Sequence, residues 1–192
     1  MEKFIEVHNN VLPSFFTDKI ENMLVGDLPS IPHYYTSNVT YKANNSIERN
    51  YTPGFSSMLF AYDSSTNRPS VINPAVFFFF EILYRFAQYR NLNILGIDVI
   101  RSFIHLPSAF PGPDDVHIDQ SLPHLVCLYY VNDSDGDTVL FKDDRKTEIK
   151  RVTPQKGKIV FFDGTIPHCS TRPSKSTRSI INFNFHADFI TS

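Results

Sequence analysis

At 192 residues with a net charge of −2, the chain can bury a substantial core and shows no charge bias toward nucleic acid or a membrane surface. Its aromatic content is Phe (18) and Tyr (9) with no Trp, and Gly is scarce at 7. Its two cysteines, Cys127 and Cys169, lack zinc-type spacing partners and read as small buried thiols. The opening "MEKFIEVHNN" has no apolar targeting core, so the expected setting is a reducing cytoplasm. The longest apolar run, "PAVFFFFEILYRFAQ", is interrupted by Glu81 and Arg85 well short of a membrane span.

In chain order, "KFIEVHNNVL" alternates weakly and predicts a strand. "SFFTDKIENML" predicts a helix, with Ser14 or Thr17 as its cap and Ile20, Met23 and Leu24 on one face. Residues 29–70, rich in Pro, Asn, Ser and Tyr, suggest long loops with one or two strands, "SSMLFAY" being the better. "NPAVFFFFEILYRFAQYRN" predicts a second helix with Asn73 as cap and Pro74 at its first turn. Val76, Phe79, Phe80, Leu83 and Phe86 form its core stripe.

After residue 96 the period changes to two. "IDVIRSFIHL", "LVCLYYVN", "DTVLFKD", "EIKRVTP", "KIVFFDG" and "TRSIINFNFHADF" read as six strands separated by Pro, Gly, Asp and Ser turns. The expectation is one mainly β domain over 1–192: a helical, loop-rich support (1–95) packed on one face of a sandwich or barrel core (about 96–188).

The segment "DDVHIDQ" opens this β-rich half. In an extended chain His117 and Asp119 share a face and Ile118 takes the other, so the pair could hold one ion. A surface pair is the bland alternative. Among possible third ligands, His8 and His33 fall outside the β core, His124 is too near in sequence, and His186 lies close to the C-terminus. His168 follows an apolar strand and a turn. Two imidazoles and a carboxylate on one triangular face leave adjacent positions open, the arrangement of non-haem Fe(II) oxygenases, where a 2-oxo acid and dioxygen bind. Arg178, ten residues after His168, offers two parallel donors to a cosubstrate's second carboxylate. In "TRSIINFNF", Arg178, Ile180, Asn182 and Asn184 share a face that suits a polar pocket. An exposed edge strand is the alternative.

"HID", with "LVCLYYVN", "DGDT", "PQKGKIVFF", "PHCS" and "TRSIINF" in this order and spacing, resembles the 2-oxoglutarate and Fe(II)-dependent oxygenase family over roughly residues 97–186. Its prolyl 4-hydroxylase-like branch, which includes forms encoded by tailed phages, is the one most resembled, and "IEVHNNVLPSFFTDKIENML" is similar to that branch's opening strand and helix. The resemblance implies a double-stranded β-helix (jelly roll) with helices supporting one sheet. It implies His117, Asp119 and His168 as Fe(II) ligands and Arg178 and Tyr130 on the distal carboxylate of 2-oxoglutarate, walled by Val126 and Leu128. Asn182 is added from the polar face of its strand. O2 is consumed, ascorbate is a further candidate, and hydroxylation releases succinate and CO2 with no separate general base. The cytoplasm would be the host's if the protein is phage-encoded. Two departures stand out: the tyrosine usual before the metal motif is not clear in a longer stretch that has Phe103 and His105 instead, and the motif in which a Gly-Gly pair often precedes Glu-Thr reads Asp-Gly-Asp-Thr.

Two other classes compete: a zinc hydrolase, which needs a nearby base and has no use for Arg178 and Tyr130, and a non-catalytic jelly-roll binding module. "PGPDD" reads as a loop with its acids in solvent, and "DDRKTEIKR" as a mixed-charge hairpin. The stretches Pro29–Pro69 and Leu106–Asp115 are the expected lids. The first, with Lys42, Glu48, Arg49 and Arg68 among aromatic and amide side chains, suits a protein or peptide substrate, prolyl residues foremost, with a small molecule as the other option and no nucleic acid.

Overall fold

The computed structural model describes residues 3–37, 53–110 and 112–190. Its strands are β1 (Ile5–His8), β2 (Tyr34–Thr36), β3 (Gly54–Asp63), β4 (Arg68–Ile72), β5 (Leu92–His105), β6 (Leu125–Tyr130), β7 (Thr138–Phe141), β8 (Glu148–Val152), β9 (Ile159–Asp163), β10 (His168–Ser170) and β11 (Arg178–Phe189). Helices α1 (Ser14–Val25) and α2 (Val76–Arg90) complete it. A large sheet runs β1-β9-β6-β11-β5-β3-β2, with β4 paired to β3, and a small sheet runs β10-β7-β8. All named pairings are antiparallel. This is the double-stranded β-helix.

Period-two alternation sorts the large sheet's side chains into two layers. One face sends Ile181, Phe183 and Phe185 of β11, Cys127 and Tyr129 of β6 and Phe161 of β9 against Ile20 and Leu24 of α1 and Phe79, Leu83 and Phe86 of α2. The other sends Val126, Leu128 and Tyr130 of β6, Val160 and Phe162 of β9 and Ile180 of β11 toward Leu140 and Val152 of the small sheet. The large sheet is therefore buried on both sides along its centre, which is why β6 is buried at all six positions.

The helices form where the 3.6-residue stripe predicts, with differences at their ends. Pro13, at φ −66° and ψ 150°, precedes α1, and no side chain caps it; Thr17 instead donates its hydroxyl back to the Ser14 carbonyl. Before α2, Asn73 Oδ1 accepts the Ala75 N–H at 2.9 Å. Asn91 closes α2 in the left-handed region (φ 51°), a conformation Asn tolerates. Phe80 is only half-buried, because the stripe turns toward Ile82. A bidentate Arg90–Glu6 pair, both contacts at 2.6 Å, fastens α2 to β1.

Several expectations are corrected. The N-terminal half is more than a support: β1 pairs with β9, and β2, β3 and β4 extend the opposite edge. Among its described residues the 29–70 stretch thus holds β2, the ten residues of β3 and the start of β4. Period-two patterning there is hidden by Ser and Gly, which carry no clear apolar signal. β5 begins at Leu92, five residues before the strand that the sequence predicts from Ile97. β10, only three residues long, is too short to show any period. β11 is an interior strand between β6 and β5, so the edge-strand alternative falls. Lys42, Glu48 and Arg49 lie outside the described residues.

Candidate metal centre and cavity

The metal motif is not in a regular strand. Residues 112–119 run irregularly beside β10 and touch it through bridges between Pro113 and Thr171 and between His117 and His168. Reciprocal backbone bonds of 2.9 and 2.8 Å join those two histidines. Their rings consequently lie 4.8 Å apart between centroids. Each ring's Nδ1 meets a carbonyl two residues back, Asp115 or Ile166, at 3.0 Å. A carbonyl only accepts, so Nδ1 carries the proton and Nε2 keeps its lone pair.

Asp119 completes the cluster. Its Oδ1 lies 3.6 Å from His117 Nε2 and 3.7 Å from His168 Nε2, and one donor atom from each of the three residues falls within 4.8 Å of the others. Asn182 of β11 donates its amide to Asp119 Oδ2 at 2.9 Å, fixing the carboxylate. Burial raises the Asp119 carboxyl pKa, but the neighbouring His117 and His168 imidazoles outweigh it and hold the group well below its usual range. Burial likewise opposes the charged form of His117, yet Asp119 and the Asp115 carbonyl raise its pKa. Two imidazole nitrogens and one ionised oxygen, all aimed at one point, fit a divalent metal ion.

The cluster stands on a cavity of about 590 Å³ between the two sheets. Its wall comes from one face of the large sheet: Arg101, Phe103 and His105 of β5, Arg178, Ile180 and Asn182 of β11, and Leu128 of β6. The register puts Arg178 opposite His105 and Asn182 opposite Arg101. Arg178 is 2% exposed at the closed end, whereas the His117 side chain is 30% exposed.

Arg178 is held by its own neighbours. Its Nε donates to the Gly136 carbonyl and an Nη to Thr138 Oγ1, both at 2.9 Å. The backbone passes so close that a Cβ on Gly136 would sit 2.7 Å from the Thr171 carbonyl oxygen. Tyr130 donates its hydroxyl to the same Thr138 oxygen at 2.7 Å, and its ring lies 5.8 Å from the guanidinium carbon. Burial raises the tyrosine pKa to about 12, so it stays a protonated donor. Tyr130 is fully buried behind Thr138. Thr138, which links the two, is the threonine of "DGDT", whose role in holding Arg178 and Tyr130 the motif alone does not reveal.

Other placements differ from expectation. Ile118 also borders the cavity, because the chain there is not a flat strand. Asp114 does not face solvent: it is 5% exposed, accepts the Ser170 hydroxyl at 2.6 Å and lies 3.8 Å from Arg172 Nε, pinning the metal segment to β10. Cys127 and Cys169 are buried free thiols, and Cys169 borders the cavity. His105 is buried with no partner for Nδ1 among the described residues, and burial first, then Arg178, lowers its pKa well below the imidazole range, so it is neutral. The "DDRKTEIKR" stretch is the exposed β7–β8 hairpin, with Arg145 at φ 56°.

Two histidines and one carboxylate at the open end of an inter-sheet cavity in a jelly roll form a donor set that suits a non-haem metal centre. Residues 111–186 match the family model described as "2OG-Fe(II) oxygenase superfamily". No curated protein sequence matches the chain. Among solved structures, an oxidoreductase of the 2OG-Fe(II) oxygenase family from Burkholderia pseudomallei aligns at TM-score 0.69 and 10% identity, covering 95% of this chain and 84% of that one. A prolyl hydroxylase from Trichoplax adhaerens, in complex with a hypoxia inducible factor peptide fragment, aligns at TM-score 0.59 and 16% identity over 94% and 82%. A non-haem alpha-ketoglutarate-dependent carbocyclase from nogalamycin biosynthesis aligns at TM-score 0.61 and 12% identity over 98% and 82%.

Proposed function

We propose that the protein is an Fe(II)- and 2-oxoglutarate-dependent dioxygenase, with His117, Asp119 and His168 holding the iron. The observation that carries the reading is the pairing of this cluster with a nearly inaccessible guanidinium, Arg178, at the closed end of the same cavity. When bound, iron supplies the redox chemistry by which O2 and 2-oxoglutarate yield succinate, CO2 and a hydroxylated product.

The chain's own residues bind and orient. The carbonyls of Asp115 and Ile166 present the two Nε2 lone pairs, and Asn182 sets the carboxylate. Gly136 and Thr138 occupy two of Arg178's five N–H donors, leaving others for the distal carboxylate of 2-oxoglutarate. Tyr130 supports that carboxylate's binding by fixing Thr138 and Arg178. Leu128 and Ile180 exclude water from the chelate. Against the zinc-hydrolase alternative, no second carboxylate stands by to activate a water: among the described residues lining the cavity, Asp119 is the only one.

For the primary substrate we infer a protein or peptide, prolyl residues being the first to test. Exposed Tyr34 and Tyr35 on β2 and Phe110 before the metal motif offer rings on which an extended chain can lie. The test is succinate release with Fe(II) and 2-oxoglutarate, against a zinc-loaded control. Turnover with iron alone supports the dioxygenase; none with either metal, in protein shown to bind iron, removes it. Stimulation by free amino acids or small metabolites but not peptides would redirect the substrate and keep the chemistry.

A further inference from the structure

Among the described residues, Arg101 is the one cavity-lining guanidinium that neither fold nor metal centre uses. Arg178 is held by Gly136 and Thr138 and faces the cosubstrate. Arg145 donates to the Val116 carbonyl at 3.4 Å on the hairpin turn. Arg101 is half-buried on β5, and among the described residues its buried Nε–H has no acceptor. A desolvated guanidinium donor without an acceptor is costly, and its persistence at a cavity wall points to a ligand that supplies the missing oxygen.

Register fixes where that ligand sits. Arg178 stands opposite His105 and Asn182 opposite Arg101. The two pairs are four residues apart along β5, roughly 13 Å. Asn182 is bonded to Asp119, so Arg101 is level with the metal cluster while Arg178 marks the closed end. A cosubstrate reaching from Arg178 to the metal has one carboxylate committed to Arg178 and its other end committed to the metal, so the free Arg101 donor calls for a further acceptor.

Charge points the same way. Arg101, Arg145 and Arg178 line the cavity against the single carboxylate of Asp119. A divalent ion and a dianionic cosubstrate cancel each other, so their joint binding leaves the cationic surplus in place. We propose that Arg101 is the substrate-recognition residue of this cavity, and that the primary substrate carries a carboxylate close to the atom that is oxidised. The proposal rests on the dioxygenase reading above. Planar two-point bonding to a carboxylate is what a guanidinium does best. That carboxylate belongs either to an Asp or Glu beside the target residue of a peptide or to a small organic acid.

The experiment incubates iron-loaded protein with 2-oxoglutarate and a prolyl peptide library randomised at the flanking positions, and sequences the oxygenated products by mass spectrometry. A parallel arm reads succinate release with a panel of small mono- and dicarboxylic acids and their amides. Enrichment of Asp or Glu at one flanking position supports the peptide source, and stimulation by acids but not amides supports the small-acid source. With Arg101→Glu the selected position should switch to Lys or Arg, or the acids should lose their effect. Calorimetry on zinc-loaded, turnover-silent protein gives a second readout: Arg101→Gln should weaken the selected acid or acidic peptide at least tenfold and its amide counterpart less than threefold. Neutral or basic enrichment overturns the proposal, as does an Arg101→Gln variant whose sole defect is a raised 2-oxoglutarate requirement. If acids and peptides both leave the wild type unstimulated while it still decarboxylates 2-oxoglutarate, the proposal falls and the dioxygenase stands; if it does not decarboxylate at all, the dioxygenase reading itself falls.

Discussion

The two faces of the large sheet are built by the same strands to opposite specifications. On β11, Ile181, Phe183 and Phe185 enter a core closed by α1 and α2. One residue out of phase, Arg178 and Asn182 face the inter-sheet cavity. The helix-side layer is mainly apolar, and its unpartnered buried atoms among the described residues are hydroxyls, Tyr129 Oη and Ser179 Oγ, rather than charged or amide groups. Around the cavity, Arg101 Nε, His105 Nδ1 and Asn182 Oδ1 are buried with no partner among the described residues. A fold selected for stability alone would pair or remove such atoms. The helix face therefore carries the free energy of folding, and the cavity face holds polar groups in readiness at some cost to it.

Substitutions on the two faces should separate these roles. The largest effect is expected at the metal cluster: His117→Ala, Asp119→Ala or His168→Ala should abolish iron retention and 2-oxoglutarate decarboxylation together, with the β fold kept by circular dichroism. A His168→Ala variant with full activity would mean the third ligand is elsewhere. On the opposite face, Phe183→Ala should cost about 3–5 kcal/mol of stability by opening a cavity in the core, while folded molecules keep their iron. Loss of metal binding at temperatures where Phe183→Ala remains folded would show that the faces are coupled through β11.

Next in size is Arg178→Ala, which should raise the 2-oxoglutarate requirement by an amount worth about 2–5 kcal/mol, because a buried carboxylate loses its charged partner. Tyr130→Phe should do the same more weakly, about 0.5–1.5 kcal/mol, since it removes only the hydroxyl that fixes Thr138. Steady-state turnover against 2-oxoglutarate concentration measures both. A Tyr130→Phe effect equal to that of Arg178→Ala would place the hydroxyl in direct contact with the cosubstrate.

How much of this was legible in the sequence follows from the length scale of each feature. The α2 stripe and the phase of β11 are local, repeat within one element, and could be read directly. His117, Asp119 and His168 were legible through residue type and spacing together with a family resemblance. Arg101 carried the same signal as β11, since "RSFIH" alternates Arg101, Phe103 and His105 on one face, but its meaning depends on standing opposite Asn182, 81 positions away. Thr138, joining Tyr130 to Arg178, is a contact among three strands that no periodicity encodes. Asp114 looked solvent-facing because Pro and Gly surround it, and only β10, itself too short to be seen, explains its burial.

The smallest predicted effect tests whether the cavity face ends at the cavity. Asp135, in the loop before β7, accepts the Ser174 amide and hydroxyl at 2.9 and 2.6 Å and the amides of Lys175 and Ser176. These residues form the turn leading into Arg178. Slight burial works against the Asp135 charge, but the Ser174, Lys175 and Ser176 donors outweigh it and lower its pKa. A carboxyl lowered in the folded state stabilises fully above its unfolded value near 3.8, and that stabilisation is lost as pH falls through the folded value. Asp135→Asn keeps one acceptor oxygen and removes the charge, so at neutral pH it should cost under about 1 kcal/mol, solvent screening limiting so exposed a group. The gap to wild type should stay constant from about pH 7 to about pH 5 and narrow on further acidification, read by urea unfolding. Because the turn positions Arg178, the same variant should raise the 2-oxoglutarate requirement by no more than about threefold, under 1 kcal/mol. A stability loss with no change in that requirement would confine Asp135 to the fold and draw the boundary of the cavity's support at Gly136 and Thr138.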